Sequence, residues 1–160
     1  MSTSAIFKHG FNLSPMYRRT TARVTHITDD LKEVKIKIPL SYKNKNYVGA
    51  IFGGSMFAAT DPIYMIQLMQ ILGEDYVIWD KSATINYKRP AKQALVCEFK
   101  FTDSEIEAIK KRVQNEQEIT IEKTTYLVNT EKIVFAEVIK ILYIAEKQFY
   151  KEKLKNRASS

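Results

Sequence analysis

Cysteine is almost absent: Cys97 stands alone in 160 residues. No disulfide can form within the chain, which suits a reducing compartment. Histidine is scarce too. His9 and His26 lie apart without the spacing of a metal pair, so no metal site is expected. Neither G-x-x-x-x-G-K-[ST] nor G-x-G-x-x-G occurs, which leaves those modes of nucleotide-phosphate binding unsupported. The opening "MSTSAIFKHGFNLSP" has no long apolar segment and no small-residue cleavage site, so no secretory signal is visible and a cytoplasmic location is expected. No internal repeat and no linker interrupts the chain. The length suits one domain over residues 1–160, with its core at about 20–145.

Acidic residues are outnumbered, 18 against 25 Lys and Arg, for a net charge of +7. Between Glu146 and Arg157 five basic residues face two acidic ones, so residues 146–160 read as a basic polar tail. No nucleic-acid-binding module accompanies the charge, and a nucleic acid partner is not expected. A small polyanion, such as a phosphate-bearing ligand, fits the charge equally well.

Charge of either sign is missing from the middle. From Asn46 to Gly73 the only charged side chain is Asp61. Residues 52–73 read as one helix whose apolar set, including Met56, Ile63, Leu68 and Leu72, covers most of its circumference; such a helix is buried or spans a membrane. A span is disfavoured because Asp61, Pro62, Gln67 and Gln70 fall in its middle. A second reading makes Asp61 an N-cap and Pro62 the first residue of a shorter helix that Gly73 ends.

The flanking segments supply a wrapping. Residues 3–18 suggest a short helix interrupted by Gly10 and Pro15. "TARVTHIT" and "LKEVKIKIPL" flank Asp29-Asp30 as a hairpin, Val34, Ile36 and Ile38 alternating with lysines. "YVIWDKSATINYKRP" reads as a strand ended by Pro90, and "ALVCEFKF" as another. "TDSEIEAIKKRVQ" opens with the capping-box pair Thr102 and Glu105. "EITIEKTTYLV" and "IVFAEVIKILYI" form a second hairpin. A hairpin, a buried helix, then three or four antiparallel strands is an α+β order, satisfied by one antiparallel sheet curling around one long central helix: a hotdog fold.

The run "NKNYVGAIFGGSMFAATDPIYMIQLMQILGEDYVIWDKSATINYKRP" resembles the signature of the domain of unknown function 4442 family, a branch of the hotdog superfamily. Asn46, Gly49, Gly53, Gly54, Asp61, Pro62, Trp79-Asp80-Lys81 and Arg89-Pro90 carry the likeness. A looser resemblance is to acyl-CoA thioesterases of the phenylacetate-pathway type, whose Asn, Gly, His-Gly-Gly and acid match Asn46, Gly49, Gly53-Gly54 and Asp61. Phe52 stands where that family has histidine. The resemblance implies a homodimer or tetramer acting on acyl-CoA, with coenzyme A entering as part of the substrate and no separate cofactor.

The candidate chemistry follows. Gly53 and Gly54 would open the buried helix, where N–H groups have no internal partner and the dipole favours negative charge; they would hold the oxyanion of a thioester. Asp61 would be base or nucleophile. Eight residues of helix separate Gly53 from Asp61, roughly 12 Å, so joint action requires two protomers. Asn46, Gly49, Phe52, Lys81 and Arg89 are candidate substrate-binding residues, the cations for CoA phosphates. Other readings stay open: the glycines as close-packing residues, Lys81, Lys88 and Arg89 as solvated strand ends, Trp79 in core or interface, Cys97 as buried packing. At the level of function, a hydrolase stands beside a non-catalytic module that binds an acyl or CoA ester.

Overall fold

The computed structural model describes residues 3–158. Helices α1 (Thr3–Leu13) and α2 (Pro15–Arg19) fill the N-terminal stretch. Gly10 stays inside α1; Pro15 marks the break and opens α2, where its missing N–H leaves no bond unmade. Strands β1 (Arg23–Ile27) and β2 (Glu33–Ile38) pair as the expected hairpin. Val34, Ile36 and Ile38 are buried while Lys35 and Lys37 are exposed, the two-residue period of a sheet with one covered face.

After the central segment come β3 (Tyr76–Tyr87), β4 (Leu95–Lys100), α5 (Asp103–Glu116), β5 (Glu118–Val128), β6 (Val134–Glu146) and α6 (Lys147–Ala158). The six strands make one antiparallel sheet in the order β1-β2-β4-β5-β6-β3. β6 lies between β5 and β3 with continuous pairing to both. The β4–β5 junction is sparse. Val96↔Val128 is its one paired position, and the Thr125 hydroxyl donates to Glu98 O at 2.7 Å across it. Cys97 is buried there with its thiol 3.1 Å from Thr125 Oγ1, and burial pushes that thiol up to about 12.

One face of the sheet covers the central apolar segment, and the architecture is the hotdog fold. The segment is not the single long helix that residues 52–73 suggest. It is two helices, α3 (Gly53–Thr60) and α4 (Ile63–Leu72), broken at Asp61-Pro62. Proline has no N–H to give the carbonyl of Ala58, and its ring crowds that carbonyl. Met56, Ala59, Ile63, Tyr64 and Leu68 are buried against the sheet. Gly73, at φ 85°, closes α4 with its N–H on Met69 O, as the sequence suggests. No helix among the described residues is long and apolar enough to cross a membrane.

The basic C-terminal tail is helical over Lys147–Ala158. Residues read as a polar tail form α6, which lies against β3 and β6. Lys153 pairs with Glu118 and sits over the Tyr143 ring, 5.4 Å from its centroid. Its aliphatic stem and charge both have partners, so this segment packs although none of its residues is buried.

At α5 the capping box forms as the sequence requires. Thr102 accepts from Glu105 N at 3.1 Å while the Glu105 carboxylate accepts from Thr102 N at 2.7 Å. Thr102→Ala removes one of these bonds and should lower stability by about 1 kcal/mol in urea unfolding, without altering the slope of the transition.

Candidate functional site

Asp61 sits at the break between α3 and α4 with helical dihedrals, φ −56° and ψ −56°. Its side chain caps neither helix: the N-cap position of α4 falls to Pro62 and no side-chain capping bond is made. The N-cap reading is therefore corrected. So is the picture of a carboxylate enclosed by a buried helix, since the Asp61 side chain is 59% exposed. The break turns this residue outward while its neighbours Thr60 and Ile63 stay in the core.

The charge that meets it comes from β6. That strand turns Ala136, Val138, Lys140, Leu142 and Ile144 to one buried face, so a lysine occupies a core position. Lys140 has no exposed side-chain surface. Its Nζ donates to Asp61 O at 2.9 Å and Asp61 Oδ1 at 3.0 Å, and lies 2.8 Å from Asp80 Oδ2. Three ammonium protons thus meet three oxygens, which a buried ammonium requires. Sequence reasoning missed Lys140. The signal was present: one lysine inside the apolar run "VIKILYIA", on the same parity as Val138 and Leu142.

β3 delivers Asp80 by an irregularity. Asp80 pairs with Leu142 but Ser82 pairs with Ile141, so Lys81 is the extra residue of a β-bulge. The inward face shifts with it, from Ile78 and Asp80 to Ala83 and Ile85. Ala83 lies opposite Lys140, and its small side chain leaves the lysine room. Asp80 Oδ1 is buried with no partner. Burial holds the Asp80 carboxyl above the usual carboxylate range; Lys140 pulls it back in part and nearby Asp61 adds to the rise. Asp61 Oδ2, by contrast, has no protein partner among the described residues and has solvent access.

The sequence candidates distribute around α3. Phe52, Gly54 and Asp61 line a cleft of about 490 Å3 whose opposite wall is Met16, Tyr17 and Thr20. Asn46, Gly53 and Arg89 line a second, of about 430 Å3, with Tyr87. Lys81 belongs to neither and borders a depression with Arg112 and Lys153. Asn46 Oδ1 accepts from Val48 N and Ala50 N, at 3.1 and 3.0 Å, so this side chain organises its own loop. Gly49 in that loop has φ 79°, a conformation that favours glycine. Arg89 lies over the Phe135 ring, 5.8 Å from its centroid. Trp79 is partly exposed and packs against Tyr143 and Tyr150.

Gly53 and Gly54 open α3. A Cβ on Gly53 would stand 2.8 Å from the Tyr87 ring, and one on Gly54 would stand 2.4 Å from the Phe52 ring. Each glycine thus admits an aromatic ring at close range. Among the described residues no carbonyl or side chain accepts from either N–H. Gly54 and Asp61, seven residues apart, share one helix face and one cleft.

The two ends of the ion pair should respond very differently to substitution. Lys140→Met leaves Asp80 buried without its cation and should cost about 3–5 kcal/mol in urea unfolding. Asp61→Asn removes an exposed partner and should cost about 1 kcal/mol or less.

Solved structures with this fold include proteins named as thioesterases. A protein of unknown function from Pseudomonas aeruginosa, described as a probable thioesterase, superposes with a TM-score of 0.79 at 16% identity, over 91% of this chain and 98% of that one. A thioesterase from Haemophilus influenzae gives 0.65 at 10% identity, over 91% and 92%. A hypothetical thioesterase from Streptococcus pneumoniae, solved with coenzyme A, gives 0.55 at 14% identity, over 78% and 86%. At these identities the likeness is one of fold. No curated protein matches the sequence. The family model for a domain of unknown function, DUF4442, matches residues 3–142, and the chain belongs to the DUF4442 family.

Proposed function

We propose that this protein is an acyl-CoA thioesterase-like hydrolase with Asp61 as its working carboxylate. One observation carries the reading. Asp61 lines a cleft with one carboxylate oxygen held by a buried ammonium and the other open. Such a group accepts a proton from a water placed over a thioester carbonyl. The oxyanion that forms needs donors, and the unaccepted N–H groups at the start of α3 supply them together with the helix dipole. Collapse of the tetrahedral intermediate expels the CoA thiolate, which takes the proton held by Asp61 and leaves as the thiol, with the carboxylic acid as the second product.

Gly54 and Asp61 are separated by roughly 10 Å of helix axis. One thioester carbonyl does not span that, so the site combines the α3 start of one protomer with Asp61 of another. The twelve-residue β3 is the outer strand on its side of the sheet, and its unpaired edge suits antiparallel addition of a second copy. Support for a CoA ester comes from the fold relative solved with coenzyme A. Arg89 in the second cleft and Lys81 beside Lys153 and Arg112 are the phosphate contacts we assign. The Phe52 ring, lying on Gly54 where the phenylacetate-type enzymes have histidine, favours the second reading, a module that binds the ester without turnover.

Free-thiol release from short, medium, long-chain and aromatic acyl-CoAs decides between them. Wild-type cleavage should fall by about 10² in Asp61→Asn, the scale of a lost acid–base group. If no ester is cleaved, or the folded variant cleaves equally well, the Asp61 mechanism is wrong and tight CoA-ester binding becomes the activity to measure. Sedimentation under assay conditions should give at least twice the 18.5 kDa of one chain. A strict monomer would overturn the shared site.

A further inference from the structure

The geometry points to Lys140 as the positioning residue of Asp61, acting through both the backbone and the carboxylate of that residue and anchored in turn by Asp80. The inference rests on the reading of Asp61 as the working group and adds a residue that is not among the named positions carrying the family resemblance and lies outside the glycine-rich run.

Three features carry it. First, Asp61 has nothing else to hold it. It stands at a helix break, exposed, with no capping bond. An exposed aspartate so placed has more than one staggered rotamer open to it. Lys140 removes that freedom by gripping two points of the residue, the carbonyl at 2.9 Å and Oδ1 at 3.0 Å. A two-point grip fixes the local backbone and the carboxylate plane together, and leaves Oδ2 as the open base. Secondly, the grip comes from a rigid platform. β6 is paired on both sides along its length, with Lys140 facing Ala83 and Lys123 in the register. Lys123 turns its own charge away, to Glu105 at 2.7 Å, and so does not compete for the acids. Thirdly, stability alone does not account for a lysine here. Taking an ammonium out of water is expensive, and an apolar side chain of similar length serves packing at least as well. Asp80, brought inward by the bulge at Lys81, meets the remaining proton at 2.8 Å. It holds the ammonium at the site whether or not Asp61 is engaged with substrate.

The test separates positioning from mere support of the fold. Lys140→Met alone strands Asp80, so the decisive protein is Lys140→Met/Asp80→Asn, in which no charge is left buried. Relative to Lys140→Met, the double variant should regain most of its urea stability. Its kcat should stay down by about 10² with KM unchanged, matching Asp61→Asn, and adding Asp61→Asn to it should cause no further loss. Return of kcat together with stability would overturn the proposal and leave Lys140 a structural residue. A crystal structure of the double variant decides independently of turnover. A displaced or multiply oriented Asp61 carboxylate supports positioning, and a single wild-type orientation overturns it. If wild type cleaves no thioester, the hydrolase reading fails while this structural result still answers for Lys140.

Discussion

Lys140 Nζ lies where no water reaches it, and an ammonium in such a place must give each of its protons to an oxygen. That requirement reaches into three separate parts of the chain. From the helical layer it takes the carbonyl and carboxylate of Asp61; from the outer strand it takes Asp80. The break between α3 and α4, the bulge in β3 and the small residue at Ala83 are the local irregularities that allow those oxygens to converge. Each would look like a defect in isolation. Together they form one satisfied cluster around a charge that the fold would otherwise have no reason to bury.

The proline at position 62 has two consequences that act together. It interrupts the helix that the apolar run would otherwise continue, and it turns one carboxylate out of the core into a cleft. The same break exposes a backbone carbonyl, which Lys140 takes. On the other side of the sequence, Gly53 and Gly54 start α3 with rings of Tyr87 and Phe52 packed against their backbone. Their unaccepted N–H groups and Asp61 thus sit at opposite ends of one short rigid helix. A rigid spacer of that length keeps the two chemistries apart within a protomer, and this is the physical basis for a site shared between two.

Much of the fold was legible from periodicity. Val34, Ile36 and Ile38 announced β2 by alternating with lysines, and Thr102 with Glu105 announced the start of α5, because these patterns are set by neighbours a few residues apart. The helix over 52–73 was legible as buried, and its break at Pro62 only as the second of two readings, because the apolar texture continues on both sides of the one proline. The tail beyond Glu146 is legible as basic and polar but not as helical, because its helix buries no residue and leaves no apolar stripe to see. In the candidate site, Asp61 stood out because it is the single charge in a long uncharged run. Lys140 did not, since a lysine in a strand is usually solvated, and only its parity with Val138 and Leu142 argued otherwise.

The sequence by itself determined the class of the fold, the positions of most strands, the family likeness and the one acid worth attention. Those are properties of local spacing and composition, which survive in one dimension. Tertiary structure alone decided which charge meets Asp61, that Asp80 joins them, and that Gly53 and Gly54 face different clefts. Residues 61, 80 and 140 are far apart along the chain. Their meeting depends on strand order, on a one-residue bulge and on where a helix stops; the sequence marks Asp61 and Lys140 singly but carries no sign that they pair.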